Sequence, residues 1–142
     1  MYPQSSYLRS SLAFMSFFFA GSLAYAAEYT KLSPTKILEQ VKAGKAVIID
    51  VRENEEWDQA HLNLARSLPL STLEGADAKA RAKAIAILPT DKVIYLHCKA
   101  GVRCMKAAKI LEKQGLNVEA IKASYSSLED VFGMAKTTAP KP

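Results

Sequence analysis

Cysteine is scarce in this chain, two residues in 142, as are histidine, with two, and tryptophan, with one. Cys98, Cys104, His61 and His97 fit no usual zinc-ligand spacing, and no other cofactor is implied. A bridge between two cysteines so close in sequence closes a tiny loop and adds little stability, which excludes a disulfide scaffold. Runs of like charge are also absent. Lysine and arginine are scattered rather than clustered, with no aromatic interleaving, so nucleic-acid binding has no support. The net charge of +5 and pI near 9.2 describe a mildly basic surface that suits small anions more simply. Internal repeats and low-complexity segments are missing. What remains, 49% hydrophobic and 23% charged, is the composition of one globular domain with an ordinary core.

The N-terminus reads differently from the rest. Arg9 is the only charge before Glu28, and Leu12 to Leu23 is apolar apart from Ser16, Gly21 and Ser22. That stretch is too short to cross a bilayer comfortably, and Ala24-Tyr25-Ala26 supplies the small residues a signal peptidase reads. Residues 1–26 are therefore expected to be a secretory signal peptide, with no stable membrane insertion after cleavage. The domain is expected over residues 27–134, followed by a disordered polar tail at 135–142.

Within the domain, Ser33-Pro34 reads as an N-cap and first helical residue. Ile37, Leu38 and Val41 mark the helix face, and Gly44 its end. Ala46 to Val51 is a near-continuous apolar run, as in a parallel strand covered on both faces. Asn54 is placed as the cap of a short helix through Gln59, with Trp57 as its apolar anchor. His61-Leu62 and Ser67 to Leu70 read as loop and short strand. Leu73 to Leu88, Ala-rich and charged, predicts one helix by propensity, stopped by Pro89. Val93 to Leu96 is a second buried strand. A helix is expected over Cys104 to Gln114, with Cys104, Ala108 and Leu111 inward, then a strand over Val118 to Ile121 and a last turn over Ser127 to Phe132. Strands alternating with helices predict an α/β fold, a central, mostly parallel sheet with helices on both faces. In such sheets ligands bind beyond the carboxyl ends of the strands.

Cys98-Lys99-Ala100-Gly101-Val102-Arg103 occupies that position. Loop N–H groups and the following helix N-terminus place partial positive charge around the sulfur. Both lower a thiol's pKa, and the thiolate is the reactive species. Cys98 is thus the candidate nucleophile, and Lys99, Ala100, Gly101, Val102 and Arg103 the residues that hold its substrate.

Ile49-Asp50-Val51-Arg52, Glu56-Trp57, Ala60-His61-Leu62 and Leu68-Pro69-Leu70 resemble the opening motifs of a rhodanese domain. Cys98 to Arg103, followed by Ala107-Ala108 and Leu111, resembles its active-site loop and the helix behind it. The resemblance runs from about Leu32 to about Phe132 and, with the leader, is similar to periplasmic single-domain rhodaneses. It implies a sulfurtransferase: Cys98 takes sulfane sulfur from thiosulfate or a persulfide and passes it to cyanide or a thiol, a protein thiol included. Four residues separate Cys98 from Arg103, whereas phosphatases resembling this fold use a loop one residue longer to cradle an oxyanion. A thiol-based phosphatase or arsenate reductase, and a non-catalytic sulfide- or redox-sensing or partner-binding module, are the alternatives. Three positions depart from the family pattern. Cys104 stands for a serine, Ala60 for a glycine, and Lys122 to Tyr125 for a glycine pair near the rim.

The bland readings stand beside the functional ones. Arg103 either contacts the donor anion or supports the loop, and Lys99 either attracts the anion or is a solvated side chain. Asp50 and Arg52 read as a structural pair, and His61 as a residue that fixes a loop. His97, next to Cys98 on a strand, points to the opposite face as packing, and Trp57, Met105 and Ala107-Ala108 read as core. Cys104 is either a resolving thiol or a small residue in serine's place.

Overall fold

A computed structural model of the chain describes residues 26–135; the leader up to residue 25 and the tail from 136 lie outside them. Five strands form one all-parallel sheet in the order β1-β6-β5-β2-β4. They are β1 (Glu28–Tyr29), β2 (Ala46–Asp50), β4 (Ala65–Ser67), β5 (Val93–His97) and β6 (Val118–Ala120). The central strands β2 and β5 alternate between two cores. Val47, Ile49, Ile94, Leu96 and Cys98 enter one, and Ala46, Ile48 and Tyr95 the other. Burial on both faces explains why these strands read as continuous apolar runs. Each fully buried Ile or Leu contributes about 1.5–3 kcal/mol relative to exposure.

Helices cover both faces. On one side α1 (Pro34–Lys42) inserts Ile37, and α6 (Tyr125–Phe132) inserts Leu128 and Phe132. On the other, α3 (Leu70–Glu74) and α5 (Val102–Glu112) supply Leu70, Leu73, Cys104, Ala107, Ala108 and Leu111. The α/β architecture expected from the sequence is the one found.

Several boundaries differ from expectation. The run from Leu73 to Leu88 is not one helix: α3 ends at Glu74 and α4 spans Ala78–Ala86. Propensity loses to capping here, because the Asp77 side chain accepts the N–H groups of Lys79 and Ala80 at 3.0 Å and starts a new helix. Gly75 sits so tightly that a Cβ would lie 2.8 Å from the Ser71 carbonyl oxygen. The strand lies at Ala65–Ser67 rather than Ser67 to Leu70, since Leu70 already opens α3. His61–Leu62 is a strand, β3, paired antiparallel with β7 (Met134–Ala135), so residue 135 belongs to the domain and not to the tail.

Helix α2 (Asn54–Gln59) is capped by Glu53, not Asn54. The Glu56 carboxylate accepts the Glu53 N–H in a capping box. Helix α6 begins at Tyr125 because Ser124 caps it through the Ser127 N–H, and β6 ends at Ala120. Trp57 is half-buried and stacked on His61 rather than in the core, with ring centroids 3.8 Å apart. Met105 only packs against the core's edge.

Candidate active site

Helix α5 starts at Val102, two residues earlier than its apolar stripe suggests, so its N-terminus reaches into the Cys98 loop. Gly101 is the N-cap and holds a left-handed φ of 86°. A Cβ there would also meet the Lys122 Cα at 3.3 Å, so both the backbone and the space call for glycine. The loop and the strand that leads into it are held from three directions. The Tyr29 hydroxyl donates to the Gly101 carbonyl at 3.2 Å, the Tyr125 N–H donates to the Lys99 carbonyl at 3.1 Å, and the Ile121 N–H donates to the Leu96 carbonyl at 2.8 Å.

Inside this loop the Cys98 sulfur is buried, 2% exposed, and accepts the Gly101 N–H at 3.1 Å. Its pKa is pulled down to about 5, chiefly by a hydrogen bond from the Cys104 thiol and then by the N–H groups of Cys104, Ala100 and Gly101, against the opposing cost of burial. Cys98 is therefore a thiolate at neutral pH. Among the loop N–H groups, that of Gly101 is the one within hydrogen-bond distance of the sulfur. Cys104 shows the mirror image. Hydrogen bonding to Cys98 and burial push its pKa up, so it keeps its proton. Two carbonyl acceptors surround that proton, Gly101 at 3.0 Å and Ile121 at 3.3 Å. The Cys104 thiol is thus buried, protonated and hydrogen-bonded to backbone carbonyls.

The predicted residues do not share one role. Lys99, Ala100 and Val102 are exposed on the loop, Val102 64% so. Arg103, in the first turn of α5, is engaged by a carboxylate. Its guanidinium forms a bidentate pair with Glu56 of α2, with N···O distances of 2.5 and 2.9 Å. The same pair holds the Glu56 carboxyl at about 2. Glu56 is thus a site residue that spacing along the chain could not reveal, its partner being 47 positions away.

Asp50 and Arg52 form the structural pair expected of them. Asp50 accepts the Arg52 backbone N–H at 2.9 Å and the guanidinium at 2.7–3.0 Å, both residues being buried. Arg52 also donates to the Ala60 carbonyl at 2.8 Å and lies 4.0 Å over the Tyr125 ring. His61 fixes its loop, with Nδ1 3.1 Å from the Trp57 carbonyl. His97 is fully buried on the face opposite Cys98, its Nε2 3.7 Å from the Asp50 carboxylate. Burial lowers its pKa to about 4, and it is neutral at pH 7. A cleft of about 550 Å³ opens beside the loop, walled by Arg52, Glu56, Lys99, Tyr125, Ser126 and Glu129; Cys98 is not part of its lining. Among the described residues no cluster of His, Cys, Asp and Glu could hold a metal ion.

A parallel α/β sheet with a cysteine loop between its central strand and a covering helix defines a family, and residues 33–130 match the model of the rhodanese-like domain. The chain belongs to that family. It is 31% identical over 99 residues to the probable adenylyltransferase/sulfurtransferase MoeZ of Mycobacterium tuberculosis, a match covering 69% of this chain and 24% of MoeZ. It is 38% identical over 87 residues to the uncharacterized protein YqhL of Bacillus subtilis, covering 60% of this chain and 63% of that one. The chain thus spans about a quarter of MoeZ and under two thirds of YqhL. Among solved structures, the human single-domain sulfurtransferase TSTD1 superposes with a TM-score of 0.56 at 22% identity, over 70% of this chain and 97% of that one. A Helicobacter pylori protein solved by NMR matches at 28% identity with a TM-score of 0.56, over 74% of this chain and 93% of its own.

Proposed function

We propose that the protein is a sulfurtransferase that carries sulfane sulfur on Cys98. The reading rests on one observation: a buried strand-end sulfur kept as a thiolate by loop N–H groups and a neighbouring thiol. With thiosulfate as donor, the Cys98 thiolate attacks the outer sulfur, the S–S bond of the donor breaks, and sulfite leaves. Cyanide or a thiolate then attacks the outer sulfur of the persulfide, and Cys98 departs as a thiolate. Splitting the transfer in two lets one preorganised site serve both halves. Charge balances at each step, with no oxidant or reductant. The outer sulfur of the persulfide stands about 2.05 Å beyond Sγ.

The engagement of Arg103 with Glu56 weighs against phosphatase chemistry, which needs an arginine fork free to grip an oxyanion. Lys99, exposed and beside the cleft, is the cation left to attract an anionic donor. The mass of the intact protein after thiosulfate treatment tests the reading. A gain of one sulfur, removed by cyanide and absent in Cys98→Ser, is expected. No gain in the wild-type protein, or turnover of an aryl phosphate, overturns it.

A further inference from the structure

Lysines that look scattered in the sequence line up on the folded molecule. Helix α5 turns Cys104, Ala107, Ala108 and Leu111 into the core. At the same periodicity Val102, Lys106, Lys109 and Lys113 all face solvent, the last from the helical C-cap. Spacings of four, three and four residues place them on one stripe about 16 Å long, at ~1.5 Å rise per residue. Lys99 extends the row across the loop, and Lys122 sits against Gly101 on its other side. None of these five lysines is within ion-pair distance of a carboxylate among the described residues. Like charges three and four residues apart on a helix repel, and only Lys109 and Lys113, at the C-terminal end, gain from the helix dipole. The exposed Val102 heads the row, directly at the loop that holds Cys98.

We propose that this face of α5, with Lys99 and Lys122, docks an acidic protein whose thiol exchanges sulfur with Cys98. The sulfur exchange rests on the function proposed above; the docking surface rests on the stripe. The thiol sulfur of the partner bonds to the outer sulfur of the persulfide while the bond to Cys98 Sγ breaks. Cys98 leaves as a thiolate, and the proton of the partner stays with the new persulfide. Charge complementarity selects the occupant. All five cations are lysine, point charges that steer an encounter, with no arginine fork for phosphate, and the one exposed aromatic beside them, Tyr29, already lies under Lys122 and bonds Gly101 through its hydroxyl. A membrane surface is disfavoured because the apolar side of α5 is already buried in the core. Rim charges of this kind raise the association rate and leave the complex short-lived, as a handover requires.

The test uses the full chain, loaded with thiosulfate and desalted, and two peptides each bearing one cysteine. One peptide is flanked by glutamates, the other by glutamines. Transfer to the glutamate peptide is expected to be faster by about tenfold at low salt, a preference that fades as ionic strength rises. The triple variant Lys106→Glu, Lys109→Glu, Lys113→Glu is expected to lose that preference while loading from thiosulfate and transfer to cyanide stay unchanged. Equal rates for the two peptides in the wild-type protein, or an undiminished preference in the variant, overturn the surface. Fluorescence anisotropy with Cys→Ser forms of the peptides separates the two proposals. If Cys98 takes no sulfur, the function fails, and tighter binding of the glutamate peptide, lost in the variant, still supports the surface; its absence overturns it. Tighter binding of duplex DNA, or of an equimolar phosphatidylserine–phosphatidylcholine vesicle, than of the glutamate peptide overturns the choice of a protein partner.

Discussion

Cys98 and Cys104 divide one proton unequally: the first is held as a thiolate, the second keeps its hydrogen and lends it. Iodoacetamide labelling of Cys98 should therefore rise with a midpoint near pH 5. In Cys104→Ala that midpoint should move up by at least about one unit, toward the ~8.5 of a free thiol. Mass mapping of labelled protein across pH checks this, and an unmoved midpoint would show that Cys104 is not the donor. The same shift is a stability statement. Because folding lowers the pKa of Cys98, its thiolate contributes fully above the unfolded thiol's value and progressively less as pH falls to about 5. The stability difference between wild type and Cys98→Ala in urea should widen from pH 5 toward about 8.5. The sequence made Cys98 legible through its place after a strand, but offered two roles for Cys104. What the fold adds is the pair of carbonyls, Gly101 and Ile121, around its sulfur, which favours the hydrogen-bonding role.

The end of β2 is tied to its surroundings by the Asp50–Arg52 pair. The carboxylate is fully buried, and the guanidinium reaches on to Ala60 at the end of α2 and Tyr125 at the start of α6. Tyr125 in turn bonds Lys99, so the latch supports the active loop from behind. Removing one partner of such a pair strands a buried charge. Asp50→Ala should cost about 3–5 kcal/mol of stability, read by denaturant melts. A loss under about 1 kcal/mol would show that the pair is solvated. The residues of this latch are adjacent in sequence and were legible as a pair. Glu56–Arg103 was not, because it joins α2 to α5 across half the domain. Helix ends were misread wherever a cap outweighs propensity, as at Asp77, Glu53 and Ser124. The lysine row was invisible for a related reason. Its members are neighbours only once the register of α5 is known.

At the scale of the molecule, no helix among the described residues is long and apolar enough to cross a membrane. Export through cleavage after Ala26 is our proposal, and cleavage there would alter one contact. The Ala27 N–H donates to the Glu112 carboxylate on α5, and Ala27 packs against the core. Cleavage would turn that donor into a cationic amine facing the same carboxylate, a stronger bond. Protein recovered from the extracytoplasmic fraction should begin at Ala27 by intact mass, and recovery only as the full-length chain in the cytoplasm would count against export.

The sheet itself carries a last consequence. All its pairings are parallel, so each strand waits for a partner delivered by a crossover from elsewhere in the chain. Such non-local order forms slowly, because loop-closure entropy is lost before contacts repay it. The Cys98 loop needs Tyr29, Ile121 and Tyr125 in place, residues drawn from both ends of the domain. The lowered pKa of Cys98 therefore requires the assembled sheet, and a half-folded chain carries an ordinary thiol, mostly protonated at neutral pH.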